Sequence, residues 1–279
     1  MYLYHFNPEN SAKYAAVINT FKEKAGPEIK VYSMLIPLQI EFIQNEKYKK
    51  LSSPQKYAIQ YVYDKLSPDI NAVDVYSQLE TNADKYIYFR TDNHWTDLGA
   101  YFGYVAFSES AGFKPIPLDH FELYKVEDYL GSLHRITLNK VLEKKPDTVE
   151  VYKPEISYEY SINGDIASLF NEYYETQQNK YGIFLGGDHA LGKITTGTKN
   201  GKRIAVIKDS FGNAFCPFLT SHYEEVYVID PRYIKTNIVD LIKNKCVQEV
   251  LFINSVGSTE YSGIAKMLME LTEGQETPD

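Results

Sequence analysis

The sequence has little of what marks out a protein by composition alone. Two cysteines, Cys216 and Cys246, are too few for a disulfide framework and wrongly spaced for a metal finger. A bridge between them stays open, and two small buried thiols are the simpler reading. No apolar run approaches the ~20 residues that a membrane helix needs. The opening stretch, Met1 to Phe6, lacks the charged and apolar regions of a signal peptide. No basic block stands out in a chain of net charge −8, which argues against nucleic-acid binding and a polybasic membrane patch. Repeats and low-complexity tracts are lacking as well.

What is present suits a folded globular chain. Hydrophobic residues make up 44% and charged residues 24% of 279 positions, enough to build a sizeable core. Tyrosine is abundant, with 25 copies against one tryptophan. A ring with a hydroxyl suits half-wet sugar clefts, although compositional bias of the source explains the count more simply.

The hydrophobic pattern predicts an α/β fold. Tyr14, Val17, Ile18 and Phe21 share a helical face, and Gly26-Pro27 ends that helix. Ile29 to Pro37 is a near-continuous apolar run, as in a strand buried on both faces. A helix opening at Ser52-Ser53-Pro54 and a short strand over Asn71–Tyr76 complete a β-α-β unit. The last third repeats this grammar. Strands are expected at Arg203–Lys208, Glu225–Asp230 and Glu249–Asn254, with helices at Phe211–His222, Ile238–Lys245 and around Ile264–Leu271. The tail from Glu273 to Asp279 should fray. Between them, residues 113–200 alternate in short runs such as Thr148–Tyr152 and Tyr158–Ile162, separated by turn residues. The chain therefore reads as one domain, 1–279, with a hairpin- and loop-rich insertion at 113–200 lying over one sheet end.

Two motifs carry possible chemistry. In Lys208-Asp-Ser-Phe-Gly-Asn213 an apolar strand ends just before Ser210, and a helix follows. Ligands bind at the carboxyl ends of parallel strands, and free N–H groups at a helix start favour developing negative charge. A nucleophile with an oxyanion hole needs that environment. Taken alone, however, Asp or Ser before a helix is more often an N-cap. In Thr91-Asp-Asn-His-Trp-Thr-Asp97, Asp92 and His94 are two residues apart and point to the same side in extended or turn backbone. A carboxylate there would fix the imidazole tautomer, as in a triad. Taken alone, this too reads as a capping loop ahead of the helix carrying Leu98, Tyr101, Phe102 and Val105.

Other residues are weaker candidates. Arg232, in Asp230-Pro-Arg232, lies past the next strand and suits either a carboxylate or polar sugar group or a structural ion pair. Asn254 closes the last strand and would serve as an oxyanion donor or simply form a turn. Asp92, His94, Asp188 and His189 include metal-ligand types, but show no helical ligand spacing. No metal and no cofactor are expected.

Thr91-Asp-Asn-His-Trp-Thr96, Leu98-Gly-Ala-Tyr101, Ile207-Lys-Asp-Ser210 and Val228-Ile-Asp-Pro-Arg232, in this order, resemble the DHHW family of bacterial proteins. The likeness extends to Ile36-Pro37 and Gly186-Gly-Asp-His189. That family is related to the SGNH-hydrolase-like domains of alginate O-acetylation proteins. The resemblance implies an SGNH-hydrolase-like three-layer α/β/α fold, mainly parallel, with the acid–base pair preceding the nucleophile in permuted order. It implies Ser210 as nucleophile, His94 as general base and Asp92 as orienter. Trp95, beside the base, joins Arg232 and Asn254 as a substrate or oxyanion candidate. Asn93 departs from the family name, which has a histidine there, so no role passes to that position. Relatives are exported or membrane-anchored, which implies an extracytoplasmic protein whose N-terminal signal or anchor lies outside this sequence. A serine esterase or O-acetyltransferase for acylated polysaccharide follows, with a membrane-bound acyl donor as possible partner. The alternative is an inactive glycan-binding or assembly protein of the same fold. A Ser210–His94 separation beyond ~4 Å would favour that alternative.

Overall fold

The computed structural model describes residues 2–274. The expected frayed tail therefore lies outside the described residues from 275 onward, and Glu273 still belongs to the last helix.

Among the described residues, ten strands form two sheets. In chain order they are β1 (Lys30–Ile36), β2 (Ile70–Ala72), β3 (Phe121–Tyr129), β4 (Asp147–Pro154), β5 (Tyr158–Ile162), β6 (Asp165–Ala167), β7 (Leu191–Thr196), β8 (Arg203–Lys208), β9 (Glu225–Ile229) and β10 (Glu249–Ser255). The main sheet runs β2-β1-β10-β8-β9-β7-β5-β6. Its first five strands are parallel, and β7, β5 and β6 continue it antiparallel. β3 and β4 form a separate antiparallel ribbon.

Burial follows strand position. β1, β8, β9 and β10 are buried along almost their whole length, as expected where helices cover both faces of a parallel sheet. On one face the helix Pro8–Ala25 packs Phe21 edge-on against Phe252 of β10. The helices Gln55–Tyr63, Ile238–Asn244 and Gly263–Glu273 pack against that first helix. On the other face the helix Asp97–Ala111 packs Phe107 edge-on against Tyr32 of β1. The result is the expected three-layer α/β/α arrangement.

Several local expectations are corrected. The strand expected over Asn71–Tyr76 stops at Ala72, because Asp74 caps a helix running Val75–Thr81. The helix expected over Phe211–His222 is a single α turn, Gly212–Phe215, continuing as a 3-10 helix through Ser221. Pro217 lacks the N–H that a regular α-helix would use there. Within the helix Asp97–Ala111, the most buried face holds Gly99, Gly103, Tyr104 and Phe107 rather than Leu98, Phe102 and Val105. Glycine wins those positions by close approach: a Cβ on Gly103 would lie 2.8 Å from the Trp95 ring. Of the strands between 113 and 200, β5, β6 and β7 join the main sheet and β3 and β4 form the separate ribbon. Both cysteines are free, Cys216 buried as expected and Cys246 exposed at a left-handed helix end.

Candidate active site

The segment 86–96 folds back on itself as a tight loop. Tyr88 bridges Trp95, Phe89 N–H donates to the His94 carbonyl, and Thr96 N–H donates to the Ile87 carbonyl. Thr96 then caps the helix through Gly99 N–H. At the tip, the His94 N–H donates to Asp92 Oδ1 at 3.0 Å. That turn is typical of Asp and brings the two side chains to one side.

The ring geometry completes a chain of contacts. His94 Nδ1 lies 2.5 Å from Asp92 Oδ1, and Nε2 lies 2.6 Å from Ser210 Oγ. An imidazole protonated at Nδ1 satisfies both, donating to Asp92 and accepting from the Ser210 hydroxyl. The ring is held between Tyr181, stacked on it at 4.1 Å and 7°, and Phe211 at 5.0 Å. Tyr181 also donates to the Ser210 carbonyl at 3.2 Å.

Asp92 is buried and accepts from four donors. Its Oδ2 receives the Tyr129 hydroxyl at 2.8 Å and Ser132 N–H at 2.7 Å, in addition to the two from His94 on Oδ1. Burial raises its pKa, but the interaction with the His94 ring and these hydrogen bonds outweigh that, leaving it well below the usual carboxylate range. Asp92 is therefore ionised at neutral pH. Asn93, where a histidine was expected, accepts from the Ser132 hydroxyl at 2.5 Å and steadies the residue that supports Asp92.

A second carboxylate fixes the loop from behind. Asp147, buried at the start of β4, accepts from Tyr86, from the Arg90 N–H and guanidinium, and from Thr91 N–H and hydroxyl. The Thr91 hydroxyl in turn receives Gly131 N–H at 2.9 Å.

Ser210 sits in the turn after β8. The neighbouring N–H groups of Asp209, Phe211, Gly212 and Asn213 all bond within the protein. Among the described residues the Ser210 N–H has no acceptor, so it is available for an oxyanion. Asp209 shapes the turn by accepting Phe211 N–H on one oxygen and Ser255 N–H on the other.

Below the turn lies an ion-pair network. Lys208 is fully buried, with Nζ 2.7 Å from Asp188 and 3.1 Å from Asp230. Asn213 donates to Asp188 at 2.9 Å, and Arg232 bonds both Asp188 and Asp230. Burial raises the Asp188 pKa, but Lys208 and Arg232 lower it by more, to about 2. The network ties the loop 186–189 to the strand and turn that carry Ser210.

Three sequence candidates take other places. Trp95 is wholly buried, its indole N–H donating to the Phe211 carbonyl at 3.0 Å. It links the loop of Asp92 and His94 to the serine turn and offers no surface to a substrate. Asn254 is wholly buried on the opposite face of the sheet, where its Oδ1 accepts from Tyr14 at 2.8 Å. That contact commits its oxygen to the first helix. Arg232 is committed to its two aspartates, the ion-pair alternative of the two weighed. The two Asp/His pairs are not assembled as a metal site: Asp92 and His94 face Ser210, Asp188 faces cations, and His189 bonds the Gly186 carbonyl. Among the described residues no cluster of three or more metal-ligand side chains occurs. Reading the sequence missed Tyr129, Gly131, Ser132, Asp147 and Tyr181. Each lies far along the chain from the loop it supports and carries no motif of its own.

The layers and the sheet order define a three-layer α/β/α protein with a mostly parallel central sheet. The family profile described as DHHW protein matches residues 1–229, and the chain belongs to that family. A DHHW family protein from Eubacterium siraeum DSM 15702, solved as a crystal structure, is 32% identical with a TM-score of 0.86. The match covers 96% of this chain and 90% of that one. Bacillus cereus PatB1 with a sulfonyl adduct matches at 18% identity and TM-score 0.74, covering 92% of both chains. The O-acetyltransferase domain of Pseudomonas putida AlgJ matches at 14% identity and TM-score 0.53, covering 96% of this chain and 90% of that one. A search of curated proteins found no match.

Proposed function

We propose that the protein is a serine-dependent esterase or O-acetyltransferase that handles acylated carbohydrate through an acyl-enzyme. The observation that carries this reading is the continuous Ser210–His94–Asp92 contact, 2.6 Å and then 2.5 Å, on a buried and ionised Asp92. It favours chemistry over the inactive binding alternative, which a gap beyond ~4 Å would have favoured.

In this scheme Ser210 Oγ attacks the acyl carbonyl as His94 Nε2 takes the hydroxyl proton. Asp92 stabilises the resulting imidazolium and holds it by Nδ1. The Ser210 N–H donates to the oxyanion. Collapse breaks the ester bond, and His94 returns the proton to the departing sugar oxygen. Water or a second sugar hydroxyl, deprotonated by His94, then attacks the acyl-serine, and collapse breaks the acyl–Oγ bond as His94 returns that proton to Ser210. Hydrolysis and transfer differ only in that acceptor. The fold shared with an O-acetyltransferase domain supports transfer, with an exported polysaccharide as acceptor and a membrane-bound donor as partner. Action outside the cytoplasm belongs to the same proposal.

A serine-directed sulfonyl fluoride tests the assignment. Intact-mass analysis should find one adduct per chain, mapped to Ser210, with loss of aryl-acetate hydrolysis in parallel. Labelling or turnover that survives Ser210→Ala would overturn it.

The support of Asp92 gives a second test. A Cβ on Gly131 would lie 2.3 Å from the Asp92 Cβ and 2.8 Å from its Cα, so Gly131→Ala must displace the carboxylate. Displacement of a catalytic group by about 1 Å costs on the order of 10²-fold. The variant should lose that factor in aryl-acetate kcat per folded molecule and should also melt lower, because the Asp92 backbone must shift with its side chain. Wild-type kcat would show that the placement of Asp92 is unimportant.

A further inference from the structure

The chain has no long basic block, yet one short segment beside the site carries three lysines within six positions. Ser132 N–H supports Asp92, and His134 N–H donates to the Thr91 carbonyl. From there residues 135–145 leave the body of the protein as two short helical turns, Ser132–Thr137 and Lys140–Glu143. Ile136, Leu138 and Val141 are 80%, 72% and 70% exposed. Aliphatic side chains so exposed, three within six positions, form a patch rather than scattered surface residues. Lys140, Lys144 and Lys145 are exposed among them, and none forms an ion pair among the described residues. The one acid of the segment, Glu143, is turned to His134 at 3.2 Å. A chain of net charge −8 thus presents a local cationic, aliphatic surface next to its acid–base loop.

We infer that residues 135–145 form an interfacial docking element that seats the rim of the site on an anionic lipid surface. Lysines attract the headgroups, and the aliphatic side chains enter the acyl boundary, which asks for no complementary shape. Charge complementarity selects the occupant: a neutral surface would leave three lysines without partners. Such seating would bring Ser210 to substrates or donors held at a membrane. The docking itself does not depend on the chemistry proposed for Ser210, so each can fail without the other.

Co-sedimentation with vesicles tests it. At low salt the protein should partition onto phosphatidylcholine vesicles containing phosphatidylglycerol about 10²-fold more strongly than onto phosphatidylcholine alone, from three lysines at the surface. Salt should weaken that binding. Ile136→Asp/Val141→Asp and Lys140→Glu/Lys144→Glu/Lys145→Glu should each abolish it, with melting temperature and Ser210 labelling unchanged. Absence of wild-type binding, equal binding to both vesicle types, or binding retained in both variants would overturn the inference. So would self-association that the same variants remove, which would make the patch a contact between copies.

Discussion

Asp92→Asn is expected to lower turnover by about 10⁴-fold, the scale seen when a triad carboxylate becomes an amide. The reason lies in the count of donors. Four of them converge on this carboxylate: His94 Nδ1, His94 N–H, the Tyr129 hydroxyl and Ser132 N–H. An amide has one acceptor oxygen, so its nitrogen must face donors whichever way it is turned. If the nitrogen faces His94, the imidazole is driven to the tautomer with hydrogen on Nε2, which cannot accept the Ser210 proton. If it faces Tyr129 and Ser132, the loop that holds the ring loses its anchor. Kinetics on an aryl acetate, with a thermal melt to verify folding, checks the expectation. Activity within tenfold of the wild type would remove Asp92 from the catalytic scheme.

Lys208→Met should be the most destabilising single change near the site, by about 3–5 kcal/mol, the cost of stripping one partner from a buried ion pair. Methionine fills the volume but leaves Asp188 and Asp230 facing each other with only Arg232 between them. Urea denaturation reads the loss. The pH dependence has a definite sign. In the native protein Asp188 is held at about 2, below its unfolded value of about 4. Its contribution is therefore complete above pH ~4 and is lost as pH falls toward 2. Without Lys208 the native value rises toward the unfolded one, so this part of the acid-induced loss should flatten. An unchanged slope between pH 4 and 2 would show that Lys208 does not hold Asp188 ionised.

The parts of this fold that sequence reveals are those made by neighbours along the chain. The buried runs at Lys30–Ile36 and Arg203–Lys208 announce a covered parallel sheet through unbroken apolar character. Asp92 and His94 are joined by a two-residue turn, so their side-by-side placement is a local matter. Motif likeness, not periodicity, brought Ser210 to them. What stays hidden is set by distant packing. Nothing around Tyr181 shows that its ring will cover His94, and nothing around Asp147 shows five hydrogen bonds to residues 86–91. Trp95 misleads for the opposite reason: its place beside the base suggests ligand contact, but two glycines of the following helix make room to bury it. Asn254 stands at a strand's functional end, yet strand alternation turns it toward the first helix.

The strand order also constrains how the chain acquires this shape. β10 follows every other strand of the described residues in the chain, yet it lies inside the sheet, with Lys30 of β1 opposite Glu249 on one side and Ile204 of β8 opposite Glu249 on the other. Until it emerges, β1 and β8 each carry an open parallel edge, and the two halves of the sheet have no direct pairing. Closure of such long loops is slow, and open edges invite pairing with other chains. A chain lacking residues 249–255 would lose the pairing between those halves, leaving contacts such as Trp95 to the Phe211 carbonyl to join the Asp92–His94 loop to the serine turn.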